Sequence, residues 1–153
     1  MRRGPRPHSA VVFLSIDGVV GCAISRRRQG EGLNQAAFVA DFEAHAAPFI
    51  RPCPGPCSVV LLDNSIVHYA PELEAIVTAR GGILVKLYAC GYEDMPVEKV
   101  SPKLVRTFGD PYLQANLRLA IRRAVNSVTP ADAASYFECS GVQLVEILPG
   151  VYE

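Results

Sequence analysis

The sequence predicts a mixed α/β domain in which an antiparallel hairpin precedes a parallel strand pair, with helices flanking both. Three observations lead there. Two β-rich runs, residues 10–16 and 19–25, meet at Asp17-Gly18. Two later apolar runs, "SVVLLDN" and "ILVKLYA", bracket a helix-like stretch. Beyond them the chain shows helical spacing with start and stop signals. At 153 residues, half of them apolar, the chain is long enough for one domain with a sizeable core. The expected boundaries are a basic arm over 1–9, the domain over 10–144 and a tail over 145–153.

Each element has its own justification. Asp-Gly between apolar runs is a strong hairpin signal, because a type I′ turn needs positive φ at both central residues. "NQAAFVADFEAHAAPFI" places Phe38, Phe42 and Ala46 on one helical stripe, with Asn34 as N-cap, and the prolines of "PFIRPCPGPC" stop it. "SVVLLDN" is apolar throughout, the pattern of a strand covered on both faces. Pro71, Glu72 and Glu74 suit the first turn of the next helix, and Gly81-Gly82 suits its end. Strand, helix, strand then implies a parallel pair with a right-handed crossover. "PYLQANLRLAIRRAVNSV" puts Leu113, Leu117, Ala120, Ile121 and Ala124 on one stripe; "TPADAASYFECSG" has Thr129 as cap, Pro130 in the first turn and Gly141 as stop.

Charge and cysteine usage narrow the function classes. Lysine plus arginine equals aspartate plus glutamate at 15 each, but residues 1–30 hold six arginines against Asp17 alone. Arg26, Arg27 and Arg28 in that part suit contact with a phosphate backbone, and equally suit a solvated loop. The five cysteines are scattered and odd in number, which fits reduced thiols better than a disulfide framework. Cys53 and Cys57 lack a second ligand pair at zinc spacing, so they are read as loop thiols. Asp17 interrupts the early apolar run and no stretch reaches membrane-span length. The expectation is a soluble intracellular protein, nuclear if the host is eukaryotic, with no membrane partner.

The candidate chemistry begins at Asp63. In parallel α/β sheets ligands bind outside the carboxyl ends of the strands, and Asp63 stands at such an end. A carboxylate there is tolerable if hydrated, capped or bound to a cation, or it simply bonds amides of the strand-to-helix turn with Asn64 and Ser65. Glu98, in "DMPVEKV", follows the second strand, with 34 residues between it and Asp63.

With those residues in view, "SVVLLDNSIVHYAPELEAIVTARGGILVKLYACGYEDMPVEKVSPKL" resembles DDE transposases of the mariner type and related bacterial insertion sequences. In that family a strand ends in Asp-Asn, a histidine follows closely, and a glycine-bounded second strand leads into a Pro-hydrophobic-Glu motif. The likeness extends to "VVFLSIDGVVG" and "VTPADAASYFECSGV" and covers most of residues 9–142. It implies an RNase H-like mixed sheet, a DDE endonuclease that cleaves and transfers DNA strands, and DNA as partner. It implies magnesium held by three acids, with Asp63 as the second and Glu98 as the third. Asn64 and His68 would support the turn, His68 through structural or backbone contact. Two magnesium ions in such a site activate the attacking oxygen and stabilise the leaving one.

The sequence also departs from the family. No residue stands at the first acid's position, whose strand should precede the hairpin, and Asp17 reads as a turn residue. The expectation is therefore a catalytic domain incomplete at its N-terminus, inactive alone, with magnesium binding weakened. A missing strand would leave a sheet edge for a protein partner or a homodimer. Cys90 and Met95 replace the family's aromatic and asparagine before the Pro-Val-Glu motif, and Pro102 disfavours a continuous helix from Pro96. A fresh helix start with Ser101 as cap would leave Glu98 in a loop. Two alternatives remain: a retained binding module for protein or nucleic acid, and a haloacid dehalogenase-like phosphatase. The second rests on the likeness of "VVFLSIDGVVG" to that family's Asp-x-Asp-Gly motif, with Ser15 where its nucleophilic aspartate is required.

Overall fold

The computed structural model describes residues 8–26, 32–87, 95–108 and 116–141. Strand β1 (His8–Ser15) pairs antiparallel with β2 (Gly18–Arg26). Helix α1 (Gln35–His45) follows, then a 3-10 turn over Ala47–Phe49, β3 (Val59–Leu62), a 3-10 turn over Ile66–His68, α2 (Pro71–Thr78) and β4 (Ile83–Lys86). A 3-10 turn over Pro96–Lys99 runs into α3 (Val100–Phe108), and α4 (Leu117–Asn126) and α5 (Pro130–Cys139) complete the described chain. Strands β3 and β4 are parallel, from Val59 opposite Ile83 to Leu62 opposite Lys86, as the strand-helix-strand order requires. The mixed α/β class is thus present as an antiparallel hairpin and a parallel pair. They form two separate two-stranded sheets.

Local signals explain four of the five described helix starts and the end of α2. The side chain of Asn34 accepts from the amide of Ala37 at 2.8 Å, and that of Asn116 accepts from Leu119 at 3.1 Å. Thr129 and Asp132 form a reciprocal capping box with Pro130 in the first turn. Pro71 opens α2 and Gly81, at φ 73°, ends it.

The hairpin turn differs from the expected one. Ser15 pairs with Gly18, so the two-residue loop is Ile16-Asp17, and the positive φ of 125° falls on Gly18 alone. Type I′ geometry would need positive φ at both loop residues, and neither has it. The register slips between Phe13 and Leu14, where β2 carries one extra residue. Asp17 is exposed at the turn, its amide donating to the Ser15 hydroxyl at 3.2 Å.

One core cluster joins Phe38, Phe42 and Ala46 to Leu62, Leu73 and Val77, with Val11 and Phe13 of β1 packed against it. Phe13, Phe38 and Phe42 meet ring against ring at centroid distances of 5.8–6.3 Å. A second cluster gathers Val100, Val128 and Ala133 with Leu14, Val19 and Leu104. The hairpin therefore contributes to both clusters.

The expectation that "SVVLLDN" is covered on both faces is corrected. Val60, Leu62 and Leu84 face the first cluster, but Val59 is 50% exposed and Ile83 and Val85 are exposed beside it. Apolar composition reports a strand's appetite for cover, whereas the cover itself comes from helices distant in sequence. Here those helices pack on the hairpin instead, around Leu14 and Val19.

Candidate functional site

Asp63 follows β3 directly, at the carboxyl end of a parallel strand whose ladder continues through the Leu87 amide to the Leu62 carbonyl, 2.8 Å. Its Oδ1 accepts the Ser65 amide at 3.1 Å, closing the strand-to-turn bend locally. The same oxygen lies 2.6 Å from His68 Nδ1. A carboxylate oxygen only accepts, so Nδ1 carries the hydrogen of that contact. His68 is held from behind as well, with its ring centroid 4.3 Å from that of Phe38. Gln35 Nε2 donates to the Ile66 carbonyl at 2.9 Å and ties α1 to the same turn. His68 thus ends a 3-10 turn and braces the bend rather than beginning α2. Asn64 is exposed beside it.

Glu98 lies on the 3-10 turn Pro96–Lys99, exposed, its amide donating to the Met95 carbonyl at 3.0 Å. The two readings of this stretch resolve into a third. The 3-10 turn leads straight into α3, Pro102 falls within the first turn of α3 where no intrahelical amide is needed, and Ser101 is helical rather than a cap. Glu98 is therefore fixed on a turn, not free in a loop. Buried Pro96 and Val100 anchor that turn, which packs against β1 and α5.

Asp63 and Glu98 are held by different parts of the core, the first beside α1, the second around Val100. The donor types suit a hard cation: Asp63 Oδ2 carries no protein hydrogen bond among the described residues, and magnesium commonly uses one or two carboxylates with water and phosphate. Among the described residues no group of three or more His, Cys, Asp or Glu gathers to hold a metal. Arg26 ends β2, while Arg27 and Arg28 lie outside the described residues, as do Cys90 and Leu113. Cys22, Cys53, Cys57 and Cys139 are free thiols. No described helix is long and apolar enough to cross a membrane.

Two supports of the Asp63 turn escaped sequence reasoning, Gln35 and the Phe38 ring. Phe38 was legible only as a core position, because its contact with His68 joins residues 30 apart in the chain. Comparison with protein-family profiles, with characterised proteins and with solved structures finds no match to this chain.

Proposed function

We propose that the chain is a transposase-derived domain of the DDE superfamily with an RNase H-like fold, carrying the second and third acids and none at the first position. The observation that supports this best is Asp63, a carboxylate at the carboxyl end of a parallel strand, with 34 residues between it and Glu98 on a proline-led turn. Bound magnesium would supply charge neutralisation at a DNA phosphate, held by Asp63 and Glu98. His68 keeps the Asp63 carboxylate aimed, and the Ser65 amide closes the bend beneath it. Alone, these 153 residues carry two of the three acids and are inactive in strand cleavage, and their retained role is DNA contact through Arg26, Arg27 and Arg28.

The test is purified protein with supercoiled plasmid and magnesium, beside Asp63→Ala, and DNA binding at low and high salt beside a triple alanine variant of Arg26, Arg27 and Arg28. Parent and Asp63→Ala should be equally silent in cleavage, and salt-sensitive binding should disappear in the triple variant. Strong cleavage lost on Asp63→Ala would overturn the inactivity; no binding at low salt would remove the DNA role.

A second reading, a protein-binding module, is favoured by the exposed aliphatic face of β3 and β4 at Val59, Ile83 and Val85. The partner in that reading is a second copy of this chain.

A further inference from the structure

We propose that the cleft between β2, α1 and α4 is a binding site for a phosphate group, carried by a small metabolite or by a nucleic-acid backbone. The cleft has a volume of about 490 Å³, within the range of small-molecule sites. Arg118 and Arg122 of α4 line it together with Asp41 and His45 of α1, Cys22 of β2 and Asn126 at the end of α4.

The sequence builds this arrangement from two helical repeats. Residues 118 and 122 are one turn apart on α4, beside the face that buries Ala120, Ile121, Ala124 and Val125. Residues 41 and 45 are likewise one turn apart on α1, beside buried Phe38 and Phe42. Gly21 sets how close the two walls come. A Cβ there would meet the His45 carbonyl oxygen at 2.2 Å, so only glycine lets the last turn of α1 lie against β2.

Two arginines on one wall repel each other, and among the described residues neither guanidinium makes an ion pair or hydrogen bond. Guanidinium groups offer forked donors that match phosphate oxygens, with a charge that never titrates in the working range. The field of Arg122 reaches the opposite strand: burial raises the Cys22 thiol's pKa, and Arg122 opposes that rise. Asp41 repels the anion and accepts a donor, such as a sugar hydroxyl, from the rest of the ligand. Phosphate is therefore directed to the arginine side. Asp63, His68 and Glu98 do not line this cleft, so its failure and that of the transposase reading are separable.

The experiment is a heteronuclear NMR titration of the full chain at low salt, with inorganic pyrophosphate in one arm and a short DNA duplex in the other. Saturable shifts should centre on Cys22, His45 and Arg122. R118A/R122A should weaken binding about tenfold or more, as expected for losing charge-assisted bonds, while R106A on α3 leaves it unchanged. R118K/R122K keeps the charge and should retain weakened binding, so a folding defect in the alanine pair would not hide the result. Pyrophosphate binding alone identifies a small phosphorylated ligand. Duplex binding that pyrophosphate displaces and R118A/R122A abolishes identifies nucleic acid. No saturation with either probe, or binding indifferent to the alanine pair, overturns the proposal.

Discussion

Replacing Gly21 by alanine tests a close approach between α1 and the hairpin. The added methyl would stand 2.2 Å from the His45 carbonyl oxygen and 2.9 Å from both its carbonyl carbon and its Cβ. Cβ contacts under 3.0 Å essentially never occur in folded chains, so the last turn of α1 must retreat by roughly 1 Å. The obstacle is backbone, fixed by the Ala46 amide bond to the Phe42 carbonyl at 2.9 Å, and Phe42 is fully buried. Overpacking of this kind costs about 1–3 kcal/mol. For a chain of this size each kcal/mol moves the melting temperature by about 2–4 °C, so the middle of the range is a fall of about 4–8 °C. The assay is thermal unfolding followed by circular dichroism, with Gly32→Ala as control. Nothing lies within 4 Å of a Cβ at Gly32, and alanine there should leave the melting temperature unchanged or raise it slightly. A Gly21→Ala protein melting within about 1 °C of the parent would refute the close approach, and with it the walls of the phosphate cleft.

Two further outcomes are expected. Asp132 accepts from Lys103, from the Thr129 hydroxyl at 2.7 Å and from the Thr129 amide at 2.8 Å, and these bonds hold its carboxyl well below the usual range, Lys103 most of all. A depressed carboxylate stabilises the fold fully above its unfolded value of 3.8 and less as pH falls below it. The parent should therefore lose stability on acidification through that window more steeply than Asp132→Asn, and coincident acid limbs in denaturant titrations would dismiss the coupling. Sedimentation at increasing concentration should show self-association that V59K/V85K abolishes; a parent monomeric at the highest concentration would end the second-copy reading.

Some of this structure was legible because its causes are local. Asn34 and Thr129 accept from amides three residues on, Pro71 supplies a fixed φ and needs no amide partner in the first turn, and each stands where the sequence predicts. The parallel pair followed from chain order alone. The hairpin turn slipped by one position because Gly18 takes the positive φ while Ile16-Asp17 makes the loop. Asp63 was legible as a strand-end carboxylate, but its capture by His68 depends on Phe38 and Gln35, which arrive from α1. No motif in the sequence singles out Arg118 and Arg122. What makes them one wall of a cleft is the position of α1, set by a glycine nearly 100 residues earlier.

The separation of the two sheets has a mechanical meaning. Backbone ladders are directional and fix neighbouring strands in register, whereas apolar contact is non-directional and fixes position only through close packing. Among the described residues no ladder crosses from the hairpin to the parallel pair, so packing on α1 joins them: Phe13 rests on Phe38 and Phe42, and Gly21 lies against His45. Both sheets pack on α1, so a change in its side chains reaches both.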